Sequence, residues 1–260
     1  MHLKKLFKTL APVAAMGFAA TLSACDGIDV SINGSNGKPL AEIDLSGEPP
    51  KSVTLAGPDT VLIEEGETFT VAVEGSEEAK ERMRFEFEDG ELIVMREDSS
   101  WGDNDSATVS ITMPPPEALT IAGSGRISSA TMASTGDLTI AGSGDLVVES
   151  AASENLEITI AGSGDAKAAG ATERLEITIA GSGKGDLSQL TAERADISIA
   201  GSGDVTFRSD GEVEASIIGS GDVTVIGRAK CTINSMGSGT LNCSAPANSD
   251  EDGEETDEAA

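Results

Sequence analysis

The stretch that decides the fold is LEITIAGSGD at residues 156–165, which returns as LEITIAGSGK at 175–184 and as ADISIAGSGD at 195–204. Its central tripeptide Gly-Ser-Gly recurs along the second half of the chain in steps of 19, 20, 19, 20, 18 and 18 residues. Self-similarity at a nearly fixed period indicates a repeat architecture in which each unit stacks on its neighbours. The tripeptides begin at Gly123, Gly142, Gly162, Gly181, Gly201, Gly219 and Gly237.

Apolar and polar residues alternate before each Gly-Ser-Gly corner. Leu156, Ile158 and Ile160 are separated by Glu157 and Thr159, and this period of two is typical of a half-buried strand. Coils stacked about 4.8 Å apart would bury such residues as continuous columns. Glycine suits corners that need positive φ or leave no room for a Cβ atom. We therefore predict an all-β fold, a parallel β-helix or closely related β-solenoid with repeats of about 19 residues.

A β-rich segment over residues 51–116 precedes the repeats. Short alternating runs predict strands in it, and residues 74–83 fit a short helix or a loop equally well. Pro114-Pro115-Pro116 marks the predicted joint with the solenoid repeats of residues 117–245. The predicted strands lie at 52–56, 61–63, 68–73, 85–87, 92–95 and 107–113.

Both ends of the chain differ from the repeats. Residues 1–24 have a basic start and an apolar run too short to span a bilayer, which predicts a cleaved signal peptide. The tetrapeptide at 22–25, Leu-Ser-Ala-Cys, resembles the bacterial lipobox, and that resemblance implies that Cys25 is lipidated and begins the mature chain. The alternative is an ordinary secretory signal with a chance cysteine. Residues 25–50 then form a tether, and residues 246–260 predict a disordered acidic tail.

The charge of the chain limits its partners. The formal net charge is -28, so the surface repels nucleic acid and the anionic face of a bilayer. Attachment to a membrane therefore has to come from the N-terminal lipid or from a partner. We expect an exported, lipid-anchored protein of the cell envelope and favour the outer membrane, on its periplasmic face or at the cell surface.

The order of motifs resembles the head GIN domain family, which is also called putative auto-transporter adhesin. The resemblance rests on VTLAG at 53–57, FTVAV at 69–73, GELIV at 90–94 and VSITMP at 109–114, followed by the serial Gly-Ser-Gly-Asp corners. It covers residues 51–245. It implies an all-β solenoid that is exported and often lipid-anchored, and it brings no catalytic residues.

Catalytic motifs are weak in this sequence. The chain has a single histidine, His2, which lies in the predicted signal peptide, so no histidine triad or histidine metal site is expected in the mature chain. Gly183-Lys184 lacks the remaining residues of a phosphate-binding loop. Two carboxylates would suffice for a glycosidase, but no pair stands out. We expect no enzyme and no organic cofactor.

Four aspartates follow the corners directly: Asp145, Asp165, Asp204 and Asp222. Stacking would place neighbouring carboxylates about 5 Å apart, where like charges repel each other. One hypothesis is that Ca²⁺ binds between Asp145 and Asp165, or between Asp204 and Asp222. The alternative is a solvated polar corner in which the intervening Lys184 relieves the repulsion.

Cys231 and Cys243 both fall on inward-facing positions of the last coil, six residues before and six residues after Gly237. An exported protein permits a disulfide, which would close the open end of the solenoid. The alternative is two buried free thiols.

Three functions remain open from the sequence. The first is a non-catalytic, lipid-anchored adhesin or binding module with an unidentified protein or glycan ligand. The second is a structural or assembly protein of the periplasm. The third, a polysaccharide-active enzyme, has the weakest support.

Overall fold

The computed structural model describes residues 37–97 and 106–244, and most of these residues lie in strands. The predicted signal peptide, Cys25 and the acidic tail lie outside the described residues. A 3-10 turn at Leu40–Glu42 and one helix, α1 (Glu77–Arg82), interrupt the strands. The first strands are β1 (Ser52–Ala56), β2 (Thr60–Glu65), β3 (Thr70–Glu74), β4 (Met83–Glu88), β5 (Glu91–Arg96) and β6 (Thr108–Met113). The repeats supply β7 (Ala118–Gly123), β8 (Arg126–Thr131), β9 (Thr135–Gly142), β10 (Asp145–Gly162), β11 (Asp165–Gly181), β12 (Lys184–Gly201), β13 (Asp204–Arg208), β14 (Glu212–Gly219), β15 (Asp222–Ile226), β16 (Lys230–Gly237) and β17 (Thr240–Ser244).

The strands coil into a solenoid, as the repeat predicts. Each coil has a strand before the corner and a strand after it, and both pair in parallel with the equivalent strands of the coils above and below. The register is that of the Gly-Ser-Gly repeat, because Gly142, Gly162 and Gly181 align in one column. The strands before the corners stack in the order β5, β1, β7, β9, β10, β11, β12, β14, β16.

Inward-facing side chains fill the solenoid as columns that run along the stack. Isoleucine dominates the column nearest the corner, and its members are almost completely buried in the repeats. Because neighbouring coils place like residues in contact, each coil buries the apolar row of the next. This column consists of Val94, Leu55, Ile121, Ile140, Ile160, Ile179, Ile199 and Ile217, and it ends at Ser235.

Each coil has a second bend opposite the Gly-Ser-Gly corner. Strands β10, β11 and β12 continue through this bend as extended backbone. Register shifts occur at the bend, between Val148 and Ala151 and between Lys167 and Ala169. These irregularities take up the extra residue of the longer repeats, since the rest of each coil stays in register.

The β-rich segment before the repeats is part of the same stack. The coil formed by β1 and β2 lies between β5–β6 on one side and β7–β8 on the other, so stacking order differs from chain order. Strands β3 and β4 fold back antiparallel onto β6 and β5. Helix α1 begins at the N-cap Ser76, whose Oγ accepts a hydrogen bond from the Ala79 amide. Buried Ala79 joins α1 to the core at this end.

The two ends of the stack are unlike each other. The chain enters beside β4, where Lys38 and Phe85 form an isolated bridge. At the far end, β16 and β17 form the last coil, and most of its residues are exposed. The described part of the predicted tether, residues 37–50, and the last coil therefore lie at opposite ends of the solenoid.

Candidate functional site

A ladder of five carboxylates runs along the outward face of the sheet before the corners. Each member lies five residues before the first glycine of a corner, so the parallel register places them directly above one another, about 4.8 Å apart. All five side chains are exposed. The ladder consists of Asp137, Glu157, Glu176, Asp196 and Glu214.

The environment of Glu157 within the ladder shifts the pKa of its carboxyl group. Partial burial raises the pKa of Glu157, and the charges of Asp137 and Glu176 on the neighbouring coils raise it further. A carboxylate flanked by two others holds its proton more tightly because ionisation adds a third like charge. The ladder therefore favours the approach of positive charge.

Basic side chains flank the ladder two residues earlier along the strands. Arg174 and Arg194 occupy neighbouring coils of one column, and Arg174 donates a 2.9 Å hydrogen bond from Nη1 to Asn155 Oδ1. Arg194 approaches Glu212 at 3.9 Å. A groove of about 290 Å³ follows this border toward Lys230. The face thus carries adjacent lines of positive and negative charge.

Two uncharged columns lie on the other side of the ladder. The first carries hydroxyl groups and the second carries small apolar side chains, so the face between ladder and corner is flat. The hydroxyl column contains Thr139, Thr159, Thr178, Ser198 and Ser216. The small column contains Ala141, Ala161, Ala180 and Ala200, and it ends in exposed Ile218 and Met236.

The sequence-predicted aspartates do form a column after the corners. Asp145 aligns with Asp165, and Asp165 aligns with Lys184, which in turn aligns with Asp204. Arg126 lies below Asp145 and donates to its Oδ2 at 2.5 Å.

The far end of this column also contains a hydrogen-bond donor. Thr240 lies above Asp222 and donates to its Oδ1 at 2.6 Å. Basic or hydroxyl residues thus border each aspartate pair.

Within residues 37–97 and 106–244, no group of three or more histidine, cysteine, aspartate or glutamate side chains is arranged to hold a metal ion. Calcium takes six to eight oxygen ligands, and each aspartate pair offers two carboxylates. Calcium binding at Asp145 and Asp165, or at Asp204 and Asp222, stays a prediction.

The two cysteines of the last coil are joined. Cys231 and Cys243 form a disulfide across the coil, with their Cα atoms 6.7 Å apart. Cys231 lies above Val213 and Cys243 above Val225, so the bridge covers the end of two apolar columns. It links the two strands that flank the last corner.

The corner of the β1–β2 coil contains a buried ion pair where the repeats have Gly-Ser-Gly. Asp59 is fully buried and accepts two hydrogen bonds from Arg96, at 2.8 Å and 2.6 Å. The same carboxylate accepts a 2.8 Å bond from the Ala107 amide. Asp59 thereby ties the first corner to the end of β5 and to the start of β6. Sequence reasoning missed this residue, because its partners are distant along the chain.

None of the described helices is long and apolar enough to cross a membrane.

Solved structures share this architecture. A "putative adhesin" from Bacteroides fragilis superposes with a TM-score of 0.68 at 17% identity, covering 75% of this chain and 93% of that one. A "putative lipid binding protein" from Parabacteroides distasonis gives a TM-score of 0.60 at 20% identity, covering 76% and 93%. A "putative adhesin" from Parabacteroides merdae gives 0.56 at 16% identity, covering 76% and 92%. At these identities the likeness shows the fold.

The amino-acid sequence shows the family to which the chain belongs. No curated protein matches the chain. A family model described as "Putative auto-transporter adhesin, head GIN domain" matches residues 49–229, which include the described coils as far as β15. The chain therefore belongs to the head GIN domain family.

Proposed function

We propose that the chain is a non-catalytic binding module of the cell envelope, an adhesin held by a lipid at Cys25. The observation that carries the proposal is the carboxylate ladder on a rigid, flat sheet face. Its five acids repeat at the strand spacing, about 4.8 Å, so it suits a ligand with several positive charges in a line. The family description and the adhesin names of two similar structures support the same class of function.

The ligand that fits this ladder is a basic protein segment. Arginine and lysine side chains would neutralise the ladder, and acidic groups of the same ligand would meet Arg174 and Arg194. Electrostatic complementarity of this kind raises association rates and excludes ligands of the wrong charge. The face carries no aromatic side chain among its columns, which disfavours a sugar-stacking platform.

Lipid binding, the property named for the Parabacteroides distasonis structure, is a weaker candidate. The inward columns of the described coils are closely packed and almost completely buried. An acyl chain would need an apolar cavity, and these columns occupy that space. Catalysis has less support again, because the ladder lies on an open face rather than in a cleft that excludes water.

Neutralising the ladder tests the proposed ligand class. The variant Glu157→Gln/Glu176→Gln/Asp196→Asn removes three ladder charges, and Glu149→Gln/Glu173→Gln/Glu193→Gln removes three exposed charges elsewhere. With polylysine as the probe, we expect the ladder variant to bind about tenfold more weakly than the control. Equal losses in the two variants would mean that net charge alone governs binding and would refute the ladder as a site.

Location on the cell tests the adhesin role. Protease added to intact cells should cleave an adhesin exposed at the surface, as detected by antibody. Protection until the outer membrane is broken would place the protein inside the envelope. That outcome would favour the second candidate, a periplasmic structural or assembly protein.

A further inference from the structure

The last coil is chemically unlike the rest of the solenoid. Residues 227–244 contain Arg228 and Lys230 but no acidic residue, whereas the whole chain has a net charge of -28. Both acidic columns stop there: the ladder passes from Glu214 to Thr232, and the corner column passes from Asp222 to Thr240.

The same coil presents unpaired backbone and exposed apolar side chains. Among the described residues, β16 pairs with β14 and β17 pairs with β15, so each keeps one edge without a strand neighbour. Exposed strand edges are templates for pairing with another chain. On this coil Met236 is 74% exposed and Ile233 41%, and Ile218 next to Met236 on the preceding coil is 61% exposed. The disulfide holds β16 and β17 together as a fixed platform.

The opposite end of the stack is built differently. There, β3 and β4 fold back antiparallel, Lys38 bridges to Phe85, and α1 contributes buried Ala79. Two copies therefore cannot stack head to tail as consecutive parallel coils of one solenoid. A contact between the last coils of two copies is isologous, with the same surface on both sides of a two-fold axis.

We propose that the last coil is the docking surface for a second copy of this chain, with β16 of one copy pairing antiparallel to β16 of the other. An isologous contact places the same surface on both sides, so a patch with an excess of one charge repels its own copy, and the acid-free coil is where this acidic protein meets itself with least repulsion. Met236 and Ile233 supply the apolar part of the contact, and the β16 edges supply backbone hydrogen bonds.

Association through a single coil end is weak. The contact is smaller than that of a standard stable complex, so we expect a dissociation constant of the order of 10–100 μM. Sedimentation velocity over a concentration series measures it, with the complete mature chain exported as Cys25→Ala so that it carries no lipid. The expected result is a monomer that converts to a dimer as concentration rises.

Two matched variants locate the contact. Thr232→Glu/Met236→Glu adds two acids to the last coil and should weaken dimerisation at least about tenfold. Thr178→Glu/Ala180→Glu adds two acids in the middle of the stack and should leave dimerisation unchanged. Thermal unfolding checks that both variants fold. The fold should accept glutamate at position 232, because the equivalent position is acidic on five preceding coils.

Four outcomes would overturn the proposal. The first is a chain that stays monomeric at about 1 mM, well above the expected dissociation constant. The second is equal weakening of dimerisation by both variants. The third is dimerisation that occurs only after removal of residues 245–260, which would make the acidic segment the normal occupant of this end. If a folded Thr232→Glu/Met236→Glu chain still dimerises like the parent, the contact lies elsewhere.

Discussion

Gly162 lies directly above Gly142 in the corner column, and a Cβ atom on Gly162 would come within 2.3 Å of the Gly142 carbonyl oxygen. The Gly162 backbone also has a φ of +133°, which side chains other than hydrogen rarely adopt. The corner therefore excludes every other residue, both by contact with the coil below and by its own conformation. The same relationship recurs through the repeats, which explains why Gly-Ser-Gly returns at each corner.

Substituting this corner glycine should destabilise the solenoid. Gly162→Ala is expected to lower the free energy of unfolding by at least about 3 kcal/mol, because strain and the backbone clash add together. Gly185→Ala is the matched control, since a Cβ atom there would meet its nearest neighbour at 3.6 Å. Denaturant titration of both variants measures the difference. A Gly162→Ala chain as stable as Gly185→Ala would contradict the corner geometry.

The buried ion pair at the first corner should be essential to the N-terminal end. Asp59→Ala removes the carboxylate from Arg96 and from the Ala107 amide, and we expect a loss of about 3–5 kcal/mol. Asp59→Asn retains a hydrogen-bond acceptor for the Ala107 amide and should cost less. Denaturant titration compares the two variants. Equal stability of Asp59→Ala and the parent chain would show that the pair contributes little.

The ladder predicts a dependence of stability on pH. The pKa of Glu157 is raised in the folded chain above its ordinary value of 4.5, so the folded state holds more protons between these two values. The contribution of Glu157 to stability is therefore greatest below the ordinary value and is lost as pH rises through the folded value. Glu157→Gln should reduce this fall and stabilise the chain at neutral pH.

Melting temperature measured across this pH range tests the ladder effect. Glu154→Gln, on the same coil but outside the ladder, controls for loss of one negative charge. A melting temperature of the parent chain that rises with pH relative to that of Glu157→Gln would reverse the expected sign.

The disulfide predicts a mass signature and a stability difference. Alkylation of the native chain should leave Cys231 and Cys243 unmodified, and alkylation after reduction should modify both. Removing the bond with Cys231→Ser/Cys243→Ser should cost about 2–3 kcal/mol, given a sequence separation of 12 residues. Free thiols at these positions in native protein would refute the bond.

Calcium binding at the corner aspartates is tested by calorimetric titration. The hypothesis predicts heat of binding at millimolar Ca²⁺ that Asp165→Asn reduces. The aspartate pairs border Arg126, Lys184 and Thr240, so their repulsion is already partly relieved. A titration without heat at millimolar Ca²⁺ would leave these residues as a solvated polar corner.

The repeat period was sufficient to predict the solenoid, its register and the inward positions of Cys231 and Cys243. It was sufficient because equivalent residues of parallel coils stack directly. The placement of β1–β2 between β5–β6 and β7–β8 could not be predicted, since the β1–β2 and β5–β6 coils lack the Gly-Ser-Gly signature.

The carboxylate ladder was also missed, although it had a sequence signal. Its members are separated by 18 to 20 residues along the chain, and each lies five positions before a corner glycine. Counting acids by their distance from the corner would have revealed the column. The partners of Asp59 left no such signal, because Arg96 belongs to a strand outside the repeats.

Because chain entry and the last coil lie at opposite ends of the stack, the number of coils sets the reach of the molecule. One additional repeat would move the last coil about 4.8 Å farther from residues 37–50, and every lateral column would simply gain one member. Reach and surface chemistry are thus independent variables in this architecture. Duplication or loss of a repeat would change the distance between the two ends of the stack in equal increments, and neither end would have to change.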